Sequence, residues 1–188
     1  MKKNFVVTVL AGLLIASAGA SAAVYKVDVS HSSVGFKVKH MMISTVTGKF
    51  NNFNGTYDLE KGQFKSLSGQ IKADSVDTGI AKRDDHLRSA DFFDAAKFQD
   101  ITFVMTSATK DKMTGDLTIH GIKKKVTLDI DMGGVVEDPW GNMRSGFVLT
   151  GSIKRKDFGL NWNKAIEAGG VVVGDEVKLV VEVEGIEE

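Results

Sequence analysis

The residues able to do chemistry are few. There is no cysteine, which removes thiol nucleophiles, disulfides and thiolate-bound zinc. The four histidines are His31, His40, His86 and His120. A metal centre needs three or four converging ligands, and neither H-x-x-x-H nor H-E-x-x-H occurs. Arg83, Asp84, Asp85, His86 and Arg88 place carboxylates beside an imidazole, the raw material of general acid–base catalysis. They fall within two turns of a predicted helix, where intrahelical ion pairs such as Asp84 with Arg88 account for them more simply. No G-x-S-x-G elbow accompanies them. The expectation is a protein with no catalytic residue, no metal and no cofactor.

The elements around these residues are overwhelmingly strands. One proline and 20 glycines stand among 188 residues, with an abundance of Val, Ile, Thr and Phe. Apolar and polar residues alternate at Val34–Val38, Ile101–Met105, Leu117–Ile119, Val126–Ile130, Phe147–Ile153 and Val177–Val183. Weaker strands fit Tyr25–Val29, Val46–Leu59 and Leu67–Ala73. Tight turns are expected at Lys110–Lys112 and Gly121–Lys123, a longer one at Glu137–Asn142, and a hairpin turn at Asn54-Gly55-Thr56. One short helix is predicted over Ile80–Ala90, capped by Asp77 or Thr78, with Ile80, Leu87 and Ala90 on one face. Eight or nine antiparallel strands in one all-β domain must hide their edges, and both a barrel and a sandwich do so.

Residues 1–22 read as a secretory signal: Lys2 and Lys3, an apolar run from Phe5 to Ala16, and Ala20-Ser21-Ala22 as the cleavage site. The predicted mature domain is 23–188, and the expected location is the periplasm. Loss of Lys2 and Lys3 leaves 22 basic residues against 24 acidic ones, interspersed, which disfavours nucleic acid as a partner. Two Trp and two Tyr cannot build the aromatic girdles of an outer-membrane barrel. The alternating apolar residues are therefore expected to point inward, in a protein that does not span a membrane.

That inward row nominates Val34, Phe36, Val38, Ile101, Phe103 and Met105 as ligand-binding. Leu117, Ile119, Leu128, Phe147, Leu149 and Leu179 follow on the same parity in later strands. Large adaptable groups near the strand ends extend the set: Met42, Phe50, Phe53, Phe92, Phe93 and Trp162, with His40 at the mouth to meet a polar headgroup. Trp140 is either a turn anchor or a flap over the pore. A barrel filled by its own side chains would instead be an interaction module, and a polar cluster inside it would suit an enzyme acting on lipid.

Five ordered stretches carry a family likeness: Asp28–His40 (DVSHSSVGFKVKH), Arg83–Phe98 (RDDHLRSADFFDAAKF), Gly115–Val126 (GDLTIHGIKKKV), Gly146–Leu160 (GFVLTGSIKRKDFGL) and Val173–Val177 (VGDEV). On these the chain resembles the YceI-like family of exported lipid-binding proteins. The resemblance implies an extended, antiparallel, eight-stranded lipocalin-like barrel with one short helix. It also implies a homodimer without catalytic activity, holding a polyisoprenoid, an isoprenoid quinone, or a fatty acid or amide. Gln99, Lys123 and Lys125 depart from the family pattern at positions expected to be turns.

Overall fold

Alternation becomes strand nearly everywhere the sequence predicts it. The computed structural model describes residues 23–166 and 169–188; the predicted leader at 1–22 lies outside them. The strands are β1 (Ala23–Val27), β2 (Ser33–His40), β3 (Ser44–Phe50), β4 (Phe53–Glu60), β5 (Gln63–Lys72), β6 (Val76–Asp77), β7 (Asp100–Ala108), β8 (Lys112–Ile119), β9 (Ile122–Glu137), β10 (Met143–Lys154) and β11 (Val173–Glu187). The helix α1 covers Ala81–Arg88.

Every pairing between these strands is antiparallel, and the sheet closes because β1 bonds to both β4 and β11. The register explains how eleven strands make an eight-stranded barrel. β1 and β2 pair with successive stretches of β11, Val27 opposite Gly185 and Ser33 opposite Glu182, so together they form one interrupted stave. β3 and β4 form the next, pairing with β2 and β1 in turn. β5 and β6 form the third. Closure through β1 removes the edges of that ring, while β6 pairs, among the described residues, only with β3, at Phe50 and Lys49.

Several local expectations change. Val46–Leu59 is not one strand: it breaks at Asn51–Asn52, whose backbone N–H groups donate to the Ser75 carbonyl and hydroxyl. Asn54-Gly55-Thr56 is not a turn but the interior of β4, because pairing with β5 overrides the local Asn-Gly signal. The β8–β9 turn is His120–Gly121, both left-handed with φ of 52° and 73°. Lys123 and Lys125 consequently lie in β9 rather than in a turn. Helix α1 is shorter than predicted, and no side chain caps it. Asp84 is buried and accepts the Thr78 backbone N–H instead of pairing with Arg88, which bonds Asp85 at 2.9 Å. Ile80 and Ala90 are exposed, so the predicted apolar face is not the packed one.

The apolar parity faces inward. On β9 the outward row is Lys123, Lys125, Thr127, Asp129 and Asp131, all exposed, the reverse of the lipid-facing band of an outer-membrane barrel.

Candidate functional site: an apolar cavity in the barrel

The barrel is hollow. Its interior holds a cavity of about 220 Å³, counted as the space open to the centres of water-sized molecules. A single water needs roughly 10–15 Å³ by that measure. The inward rows of β10 (Phe147, Leu149, Ile153) and β11 (Val177, Leu179, Val181, Val183) run along it. Six residues of strand rise roughly 20 Å, so the hollow is long rather than round.

One end is sealed by aromatic packing. Tyr57 is fully buried; its ring stacks on Tyr25 at 5.2 Å and meets Phe147 edge-on at 5.0 Å. Phe64 closes on Phe147 at 4.9 Å. The Tyr57 hydroxyl lies 2.6 Å from that of Ser145, so the floor contains a satisfied polar pair, and burial pushes the phenol pKa up. The other end is covered by α1 and the segment after it. Arg88 ties α1 to the barrel by donating to the carbonyls of Asp74 and Val76, which turns Leu87 toward the hollow. Phe93 packs against Phe50 at 5.7 Å, and Phe92 lies beside it in the wall.

Most of the predicted residues meet here. Val34, Phe36 and Val38 line the cavity from β2, with Phe50 and Phe53 from the third and fourth strands. Ile101, Phe103, Leu117, Ile119 and Leu128 line it from β7, β8 and β9. Phe147, Leu149, Leu179, Phe92 and Phe93 complete that set. Four predicted residues are not in the wall. Met42 is 62% exposed at the tip of the β2–β3 hairpin. His40 ends β2 opposite Val173 and Ser44, beyond the rim. Met105 shares the inward parity but precedes a bulge and packs into the sealed floor. Trp162 sits outside, edge-on to His86 at 4.8 Å and tilted against Phe92 at 5.2 Å. Trp140 is 81% exposed in the β9–β10 turn and is neither an anchor nor a flap over the pore.

Sequence reasoning missed Leu67, Ile71, Val126, Ile153, Leu160 and the valines of β11 flanking Leu179. The same period-2 rule would have found most of them. It also missed the role of inward glycines. A Cβ on Gly115 would lie 2.3 Å from the Phe103 ring, and one on Gly48 2.3 Å from the Phe36 ring. These glycines leave room at the wall for the tips of the two rings, which a Cβ would exclude. Gly69 differs: its Cβ would meet only the Asn54 carbonyl oxygen, at 3.7 Å, and it borders empty space.

The charged groups lie elsewhere, with one exception. Arg144 joins Asp28 at 3.0 Å, Asp138 at 2.7 Å and Glu184 at 2.5 Å. Asp28, His31 and Glu184 approach one another closely enough to share a cation, but the Arg144 guanidinium already occupies that place. His31 bonds Asp28 at 2.8 Å, and with Arg144 it holds the Asp28 carboxyl down to about 2. His86 bonds Asp91 at 2.9 Å outside the cavity. The exception is Arg155, the sole charged side chain among the described residues of the wall.

The YceI-like domain family matches residues 25–185. The chain belongs to the YceI-like family. The protein YceI of Salmonella newport is 40% identical over the full length of both chains. The YceI protein of Campylobacter jejuni has a solved structure, 39% identical, with a TM-score of 0.71 over 80% of this chain and 90% of that one. Burkholderia cenocepacia BcnA superposes with a TM-score of 0.71 at 25% identity, over 84% of this chain and 98% of its own. A polyisoprenoid binding domain from Saccharophagus degradans, 16% identical with a TM-score of 0.63, shares the fold. The YceI-like barrel is thus the fold of this chain, as the five sequence stretches imply.

Proposed function

We propose that this protein binds one long apolar molecule inside the barrel and carries it through the periplasm. The observation that carries the reading is the hollow itself: an elongated space of about 220 Å³ with an almost wholly apolar wall. Water gains little there, whereas each methylene moved in from solvent contributes about 0.8 kcal/mol. Ten methylenes give roughly 8 kcal/mol, against an association cost of about 4–15 kcal/mol, so only a long chain binds well. Such a wall selects length and apolarity, which suits a polyisoprenoid, an isoprenoid quinone or a fatty acid or amide. The binding domain of the same fold from Saccharophagus degradans is consistent with that class of ligand.

Binding rather than turnover is the activity proposed, because the wall offers one guanidinium and no carboxylate–imidazole pair among its described residues. Removal of the leader at 1–22 in export, a mature domain of 23–188 and a homodimeric assembly belong to the same proposal. The residues assigned to the ligand are the fifteen predicted ones that line the wall, extended by Ile71, Ile153, Val177, Val181 and Val183.

Gly69→Leu tests the reading. A Cβ at this position meets only the Asn54 carbonyl oxygen, at 3.7 Å, so the longer side chain is expected to extend into the hollow with the fold retained. The variant is expected to lose binding of a fluorescent long-chain lipid by roughly ten-fold or more, since filling the hollow removes burial of at least two methylenes. Unchanged binding by a folded Gly69→Leu protein would place the ligand elsewhere.

A further inference from the structure

The connection between β2 and β3 is Met41-Met42-Ile43, and all three residues are apolar and exposed, Met42 by 62% and Ile43 by 83%. Met41 and Met42 both take left-handed φ, 49° and 63°, a backbone that Gly and Asn adopt at least cost. Exposed side chains on a disfavoured backbone add little to stability, and such departures gather at functional positions. The tip is nevertheless held in place. The Met41 N–H donates to the Val172 carbonyl at 2.8 Å, and Met42 lies against Gly170, where a Cβ would come 3.4 Å from its Cγ. The tip stands just past the end of the hollow: Val38 and Val173 line the cavity, and Val173 is opposite His40, the last residue of β2.

Behind the tip the outer face of the barrel is basic. Lys37 and Lys39 point outward from β2, and Lys178 of β11 lies directly opposite Lys37. Like charges facing each other across a strand pair destabilise a sheet. Among the described residues no carboxylate oxygen comes within 4.0 Å of Lys37, Lys39 or Lys178. Of the two acids on this stretch of β11, Glu176 stands opposite Lys154, and Asp175 accepts the Lys156 backbone N–H. The exposed apolar turn at the floor end, with Val135, Val136 and Trp140, has Asp131 and Glu137 beside it instead.

We propose that the β2–β3 tip docks the barrel on an anionic lipid bilayer, with Met41, Met42 and Ile43 entering the interface and Lys37, Lys39 and Lys178 facing the headgroups. Strands rise about 3.3 Å per residue, so Lys39 stands roughly 7 Å behind Met41 and the Lys37–Lys178 pair roughly 13 Å behind it. Apolar faces of interfacial elements sink about 5–10 Å into a bilayer. That depth leaves Lys39 at headgroup level and the lysine pair within about a Debye length of the surface. The anionic surface answers a like-charge pair that the fold leaves unanswered. A second copy of the same face does not, since it would bring Lys37 and Lys178 against themselves. Docked in this way, the end of the hollow at Val38 and Val173 faces the bilayer.

The test is vesicle flotation with the purified full chain, using phosphatidylcholine alone and phosphatidylcholine mixed equally with phosphatidylglycerol. Wild type and variants are compared, so any contribution from the segment before residue 23 is common to all. Wild type should bind the mixed vesicles roughly ten-fold or more tighter than the neutral ones, the scale for a few lysines at an anionic surface, and salt should shrink that preference. Met42→Asn with Ile43→Ser suits the left-handed turn and should fold normally, yet bind the mixed vesicles roughly ten-fold or more weakly. Lys37→Gln with Lys178→Gln relieves the cross-strand repulsion, so it should fold at least as stably while losing most of the preference for mixed vesicles. Gly69→Leu should dock as wild type does, because the tip lies outside the hollow; failure of docking is thereby distinguished from failure of the cavity reading. Equal binding of wild type and the tip variant would overturn the inference, as would equal binding of wild type to both kinds of vesicle. A dimer that the tip variant abolishes, with no vesicle binding by wild type, would overturn it in favour of a second copy.

Discussion

Asp28 illustrates how single charged residues serve this barrel away from its cavity. Its carboxylate accepts from His31, from Arg144 and from the Ser30 backbone N–H, and these bonds lower its pKa from 3.8 to about 2. A carboxyl group whose pKa is lower in the folded state contributes stability above its ordinary pKa and loses it as pH falls through the folded value. The Asp28 contribution is therefore complete at neutral pH and fades between pH 3.8 and about 2. Thermal unfolding followed across that range should show Asp28→Asn with a flatter pH dependence than the parent. Parallel curves would mean that Asp28 is ionised equally easily in the folded and unfolded chain. The network was not legible in the sequence, because Asp28, Arg144 and Glu184 converge only when β1, β10 and β11 close the ring.

At the scale of elements, strand parity was legible and depth along the strand was not. Val34, Phe36 and Val38 were readable as an inward row because period 2 fixes the face of a strand. Met105 obeys the same parity as Phe103 yet sits in the floor, and His40 continues the row past the rim. Nothing in a one-strand pattern says where the hollow begins and ends. Inward glycines were equally opaque, since their meaning depends on the residue across the sheet. Gly115 is covered by Phe103, and its Cβ would also lie 2.7 Å from the Val104 carbonyl oxygen. Gly115→Ala should consequently destabilise the barrel by about 1–3 kcal/mol in denaturant unfolding, the range for overpacking a filled site. Gly69→Leu, on an open stretch of wall, should not. Similar stability losses for the two variants would contradict the distinction. Arg155 was visible as part of a motif, but its place as the inward residue beyond Ile153 depended on β10 running on to Lys154. The β2–β3 tip shows a local rule broken in plain view: Met41 and Met42 take left-handed φ of 49° and 63°, where Asn-Gly would be easiest.

The whole molecule depends on one topological fact. Interrupted staves let eleven strands close an eight-stranded ring, and a ring of that size encloses either packed side chains or one small ligand. Sequence reasoning reached a barrel or a sandwich from strand count, and the family stretches decided between them. What composition could not show is that glycines on the inner face make room at the wall for the Phe36 and Phe103 rings beside a hollow axis. The most direct test of that central claim is native mass spectrometry of protein purified without detergent or organic solvent. The barrel should carry the added mass of one long-chain molecule per chain, released by organic extraction and regained on incubation with a long-chain lipid. A bare protein mass before extraction, with no uptake afterwards, would contradict it.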